Sequence, residues 1–164
     1  MGRAILEDTR QQRGKHELKH EWWELNGYTL VRSKLPFGDY CTLPAVAVDT
    51  KASIAELAAD IDQQHDRFRR ELKGARDAGV RLVVLVENGY GVRDLGGLAA
   101  WDEPAADFAR RVRAVRPIRG ARLARACATM AERYGAEFLF CAPDEAAGVI
   151  AGILFEEAGD GRAR

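Results

Sequence analysis

The sequence predicts a single α/β domain built around a mixed sheet, and three observations carry that reading. Leu82–Val86 is a continuous aliphatic run and Phe138–Cys141 a second apolar run, the pattern of strands buried on both faces. Ile54, Leu57, Ile61, Phe68, Leu72 and Ala75 recur at helical spacing, which predicts one long amphipathic helix reaching Gly79. Strand-like and helix-like segments alternate along 164 residues, a length that suits one domain and barely admits two.

In chain order, Ala4-Ile5-Leu6 reads as a first strand that delivers Glu7 and Asp8 at its end. Lys15–Leu25 has no alternation and many helix formers, so it reads as a helix stopped by Asn26-Gly27. Tyr28–Lys34 alternates like a half-exposed strand. Pro36, Gly38 and Asp39 form a turn, followed by short strands over Tyr40–Leu43 and Ala45–Val48 that meet at Pro44. Ser53-Ile54-Ala55-Glu56 is a capping box at the start of the long helix. The four glycines of Asn88–Gly97 mark a loop, read as a linker or a mobile flap. Helices are expected over Ala105–Val115 and Ala121–Tyr134, separated by Pro117 and Gly120, and a last one runs from Pro143-Asp144 to near Phe155. Residues 1–158 are expected to form the domain and 159–164 a flexible tail.

Composition excludes several classes. About half the residues are apolar and 30% are charged, ordinary for a globular chain and unlike disorder. No apolar run approaches the roughly 20 residues of a membrane helix, and MGRAILEDTR meets charge too early for a secretory leader. Cys41, Cys127 and Cys141 are too few and too scattered for a disulfide framework or a zinc ribbon. A cytoplasmic location is expected. Twenty-five basic and twenty-five acidic residues give no net charge, so the total does not announce a nucleic-acid binder. The distribution is less even: seven arginines and no acid lie between Phe108 and Ala131.

One constellation carries chemistry. Asp39 follows the Pro36-Phe37-Gly38 turn, and ten residues later Asp49-Thr50-Lys51 closes a strand. Side chains alternate along a strand, so Asp49 and Lys51 share a face. A turn-borne acid facing that strand end would gather two carboxylates and one ammonium in one pocket. Two carboxylates suit Mg²⁺, which takes a few hard oxygens and keeps its waters. The ammonium could then steady one such water for attack on a phosphodiester. Singly, Asp39 also reads as a turn aspartate bonding its own backbone, and Asp49 with Lys51 as a strand-end charge pair.

An acid, about ten residues and then acid-x-Lys is the pattern of the PD-(D/E)xK nucleases. Leu35-Pro36-Phe37-Gly38-Asp39-Tyr40 followed by Val48-Asp49-Thr50-Lys51 resembles the ERCC4 (XPF/Mus81-type) nuclease domain, whose signature is GDY, then ERK, then an acid. Ile5-Leu6-Glu7-Asp8-Thr9-Arg10 resembles that family's first strand, Arg67-Phe68 its R-L pair, and Phe138–Cys141 with the helix after it its final strand and dimerising helix. The resemblance spans roughly residues 4–155 and looks closest to short stand-alone forms from bacteria and phages.

The resemblance implies a restriction-endonuclease-like fold, a mixed central sheet flanked by helices, and a metal-dependent endonuclease of branched or junction DNA. Asp8, Asp39 and Asp49 are then metal ligands, and these three with Lys51 form the catalytic set. Mg²⁺ is the implied metal, with Mn²⁺ able to substitute. Arg10, Glu56 and Arg67 are supporting or phosphate-holding candidates, although Glu56 is equally explained by the capping box. A homodimer through Ala147, Ile150, Leu154 and Phe155 is implied. The pattern departs from the family at Asp49 (Glu of ERK), Thr50 (its Arg), Gln11 (the Glu after D-x-R) and Glu56 (an acid displaced by one residue). A non-catalytic, DNA-binding partner of the same family is the alternative.

Two further features stay open. His16-Glu17-Leu18-Lys19-His20 is a literal H-E-x-x-H, the zinc peptidase signature, without a recognisable third ligand. His65 reads instead as a core or half-buried histidine on an apolar stripe. Arginines recur in steps of three from Arg110 to Arg125, and Arg67, Arg69, Arg70, Lys73 and Arg76 form a second basic patch. Either set could follow a phosphate backbone or be a solvated face. The candidate DNA contacts are Arg70, Lys73, Arg113, Arg116 and Arg119. One of Trp22 and Trp23 is expected in the core and the other at a contact surface.

Overall fold

The computed structural model describes residues 3–42, 46–101 and 118–155. The expected helix over 105–115, the candidate DNA contacts Arg113 and Arg116, the junction at Pro44 and the tail 159–164 lie outside the described residues. The described elements are β1 (Arg3–Asp8), α1 (Glu17–Leu25), β2 (Tyr28–Ser33), β3 (Tyr40–Thr42), β4 (Val46–Lys51), α2 (Ile54–Asp62), α3 (His65–Asp77), β5 (Arg81–Glu87), α4 (Leu95–Ala99), α5 (Gly120–Tyr134), β6 (Glu137–Cys141) and α6 (Ala146–Phe155). None of these helices is long and apolar enough to cross a membrane.

The strands form one mixed sheet in the order β2-β1-β3-β4-β5-β6. β3 pairs antiparallel with both β1 and β4, whereas β1 with β2, β4 with β5 and β5 with β6 are parallel. The start of β3 therefore lies beside the ends of β1 and β4. That reversal brings Asp8, Asp39 and the Asp49–Lys51 strand end to the same end of the sheet.

Strand parity sorts side chains into two cores. On one face Ala47, Val84 and Val86 pack under α2, α3 and α5 through Ile54, Leu57, Phe68, Leu72 and Leu123. On the other, Ile5, Val48 and Leu85 meet Trp23 of α1 and Ala147, Ile150 and Leu154 of α6. β5, flanked by β4 and β6, is buried from Leu82 to Glu87, as its unbroken aliphatic run demands.

The structure corrects four expectations. The single long helix is two: the backbone leaves α2 at Gln63, and α3 starts at His65. Each part buries its own apolar stripe, and glutamine, a good helix former, gives no local sign of the break. The glycine-rich segment after β5 is stitched rather than open. Buried Asn88 accepts from the Tyr90 and Val92 amides and donates to the Val92 carbonyl, and Asp94 caps α4. Ala147, Ile150 and Leu154 are buried within the protomer, and Phe155 packs on Tyr28, so the residues expected to pair two copies serve the second core instead. His65 opens α3 with its side chain exposed, outside the core stripe. Of the two tryptophans, Trp23 is the core residue, donating to the Ala147 carbonyl at 2.9 Å, while Trp22 stacks on Tyr28.

Candidate active-site cleft

Backbone pairing sets the cleft. The Asp8 amide donates to the Asp39 carbonyl at 2.8 Å, and the Asp39 amide donates to the Val48 carbonyl at 2.8 Å. Parity then sends Asp8, Asp39, Asp49 and Lys51 to the α2–α3 face, whereas Glu7, Tyr40 and Val48 point the other way. The turn before Asp39 needs Gly38, whose φ is +68° and whose Cβ would stand 2.9 Å from the Val48 carbonyl oxygen. Phe37 anchors the same turn against α3 at Gly74, where a Cβ would come within 2.8 Å of its ring. The Gly38 amide donates to Glu71 Oε1 at 3.2 Å.

The result is an open cleft of about 480 Å³ lined by Asp8, Arg10, Asp39, Asp49, Lys51, Glu56, Arg67, Arg70 and Glu71, among others. Asp39 is held through one oxygen: its Oδ2 accepts from the Thr50 amide (2.8 Å) and hydroxyl (2.7 Å). Asp49 is 6% exposed and its Oδ2 lies 2.8 Å from the Lys51 ammonium. Burial, and then the charges of Asp39 and Glu71, push the Asp49 carboxyl up to about 7 against the pull of Lys51. Lys51 also meets Asp60 of α2 at 2.6 Å, and its ammonium sits 5.0 Å over the Phe68 ring. Burial draws the Lys51 pKa down, but Asp49 and Asp60 outweigh it and hold the ammonium above its ordinary value. Arg67 closes the group by reaching Asp60 at 3.2 Å.

Asp8 and Arg10 form a local pair. Arg10 donates through Nε (2.6 Å) and Nη2 to Asp8 Oδ2 and through its amide to Oδ1 (3.0 Å), and Nη2 also reaches the Leu35 carbonyl. Burial raises the Asp8 pKa, yet these bonds prevail and hold it below its ordinary value.

No protein-family model matches the chain, and no curated protein matches it in sequence. Among solved structures it is similar to XPF from Aeropyrum pernix, with a TM-score of 0.67 and 20% identity over 96% of this chain. It is likewise similar to the complex of that protein with DNA, with a TM-score of 0.66 and 18% identity over 99% of this chain. The chain has an XPF-like fold. It spans 66% of the length of the first of those chains and 68% of the second.

In this cleft, the expected residues Asp8, Arg10, Asp39, Asp49, Lys51, Glu56, Arg67 and Arg70 share one lining. Glu56 does so while acting as the cap, taking the Ala52 amide at 2.7 Å as Ser53 takes the Glu56 amide. Lys73 pairs with Asp77 on the exposed side of α3, and Arg119 is exposed at the start of α5; neither lines the cleft. Two residues escaped the sequence reading, Asp60 and Glu71. Asp60 carried a signal, an acid on the buried stripe of an amphipathic helix, where a charge needs a partner.

Among the described residues, no three His, Cys, Asp or Glu side chains stand close enough together to enclose a metal ion as they are. The donor set of the cleft nonetheless suits Mg²⁺, which needs only one or two carboxylates and retains waters. Asp39 Oδ1 accepts no hydrogen bond among the described residues, and Asp49 Oδ2 has no partner except the Lys51 ammonium. Asp8 fits less well, because Arg10 already takes both of its oxygens. The rival H-E-x-x-H is not presented as a metal pair: His16 precedes α1, and His20 Nε2 is 2.8 Å from Glu7 Oε1 on the opposite face of the sheet. Lys19 of that motif is buried against Glu87.

Proposed function

We propose that the chain is a divalent-cation-dependent endonuclease of DNA, acting on branched or junction substrates. The observation that carries this reading is the convergence of Asp39, Asp49 and Lys51 with exposed Arg67 and Arg70 in one open cleft of an XPF-like fold. A cation bound by Asp39 and Asp49 would neutralise phosphate charge and acidify a water. Thr50 fixes Asp39 through two hydrogen bonds, so its free oxygen is aimed before any ligand arrives. Lys51, held by Asp49 and Asp60, is a fixed positive charge, itself nearly buried at the base of the cleft and suited to the charge that develops on a phosphoryl group. Arg67 and Arg70 supply donors at the mouth for the flanking phosphates. Asp8, tied by Arg10, steadies the floor and is at most an auxiliary ligand.

One observation favours a second reading, a DNA-binding partner without catalysis: Arg10 occupies Asp8, and two carboxylates occupy Lys51. The test is a gel assay with labelled flap, fork, four-way-junction and linear DNA in Mg²⁺, Mn²⁺ or EDTA. Cation-dependent cutting that is lost in Asp39→Asn and kept in His16→Ala supports the nuclease. Shifted bands with no cutting support the partner reading, and cutting that survives Asp39→Asn refutes this assignment of the site.

A further inference from the structure

Glu71 of α3 lines the cleft and accepts from the Gly38 amide at 3.2 Å, one residue before Asp39. A neutral side-chain carbonyl, such as that of glutamine, would hold this amide equally well, so the hydrogen bond does not account for the charge. The charge is also at odds with its neighbours. Arg67, Arg70 and Glu71 stand at i, i+3 and i+4 of α3 and line the same cleft, so an acid sits beside two phosphate donors and repels the ligand they attract. The acids at the base of the cleft are matched: Arg10 holds Asp8, while Lys51 and Arg67 hold Asp49 and Asp60. Asp39 and Glu71 accept hydrogen bonds but have no ion-pair partner among the described residues. Their excess negative charge is felt at Asp49, whose carboxyl is pushed up by burial first and then by Asp39 and Glu71.

We propose that Glu71 is a positioning residue for the divalent cation, accepting a hydrogen bond from one of its waters while Asp39 and Asp49 bind it directly. Mg²⁺ keeps several waters when one or two carboxylates hold it, and groups that orient those ligands from outside help to set the affinity. The spacing agrees with this division of labour. Among the described residues no three acids stand close enough together to enclose an ion, so a third carboxylate acts through water. Two carboxylates without ion-pair partners match the charge of one divalent cation, so the cleft is set to load it before DNA arrives. With the cation in place, Glu71 no longer opposes the phosphates that Arg67 and Arg70 receive. The proposal rests on the nuclease reading for Asp39 and Asp49 as ligands, and cation binding without DNA tests the two separately.

The test is a Mn²⁺ titration of the DNA-free protein, followed by the electron paramagnetic resonance signal of the unbound ion, beside thermal melts in EDTA. The proteins are wild type, Glu71→Gln, Glu71→Ala and Asp39→Asn. Glu71→Gln keeps an acceptor for the Gly38 amide and loses only the charge, so it is expected to bind Mn²⁺ about tenfold more weakly with a Tm in EDTA no lower than wild type. Glu71→Ala is expected to show the same weakening together with a lower Tm, because the Gly38 amide loses its acceptor. Asp39→Asn is expected to lose the Mn²⁺ site. If Glu71→Gln binds Mn²⁺ within about twofold of wild type, or weakens it only along with a lower Tm, Glu71 is a pin for the turn and the proposal is overturned. Normal binding by Glu71→Gln with loss in Asp39→Asn overturns this proposal alone and leaves the nuclease reading standing. Binding that survives Asp39→Asn, or is absent from wild type, overturns the assigned cation site and Glu71's part in it together.

Discussion

Asp49→Asn should stabilise the protein in EDTA and, on the proposed nuclease reading, abolish cutting. Burial, followed by the charges of Asp39 and Glu71, lifts the Asp49 carboxyl from 3.8 to about 7. At about 1.4 kcal/mol per pH unit, ionising it in the folded chain costs about 4 kcal/mol more than in the unfolded chain. A folded value above the unfolded one means that the favourable contribution is complete below pH 3.8 and is lost as pH rises toward 7. Asparagine keeps the shape without the charge, and Lys51 retains Asp60 at 2.6 Å. The new amide meets the Lys51 ammonium less well than a carboxylate does, so the expected net gain at pH 8 is about 2 kcal/mol. For a domain of this size that is roughly 4–8 °C in Tm. Thermal melts of both proteins in EDTA should show a gap that opens between pH 4 and pH 7 and is flat above. On the proposed reading, adding Mg²⁺ should narrow it by raising the wild type. A less stable Asp49→Asn at pH 8, or a gap indifferent to pH, would refute the electrostatic account of this site.

Three other expectations follow from named contacts. Asp60→Asn removes the carboxylate shared by Lys51 and Arg67, and urea denaturation should show a loss of about 2–4 kcal/mol; a loss under about 0.5 kcal/mol would mean that Asp49 alone suffices for the buried ammonium. Gly38→Ala meets both a positive φ and the Val48 carbonyl at 2.9 Å, so a Tm drop equivalent to about 1–3 kcal/mol is expected, together with loss of any Asp39-dependent activity. Burial pushes the Cys127 and Cys141 thiols up to about 12, so iodoacetamide at pH 8 should label neither until denaturant is added. Fast labelling of Cys127 in the native protein would show that α5 does not pack on the sheet as described.

What could be read along the chain was whatever depends on neighbours in sequence. Period two alone put Asp49 and Lys51 on one face, and they meet at 2.8 Å. The aliphatic run of β5 required burial on both sides, the Ser53 and Glu56 pair marked the start of α2, and the turn before Asp39 required a glycine. Nothing local marked the break at Gln63-Gln64, because no glycine or proline stands there and both helices keep the apolar spacing across it. The apolar stripe of α6 announced a partner without saying which: Ala147, Ile150 and Leu154 suit a second copy as well as they suit Trp23. The tandem Trp22-Trp23 was equally silent until α6 docked on α1.

Only the assembled sheet decided which charges share the cleft. The antiparallel β3, lying between β1 and β4, sets Asp39 beside Asp8 and Val48. The packing of α2 on that face gives Lys51 its second carboxylate, nine residues away and on another element. A side chain's direction follows from its own backbone, whereas its partner follows from how separate elements are laid against each other. That second quantity is a property of the sheet order and of helix docking, and no stretch of sequence holds it alone.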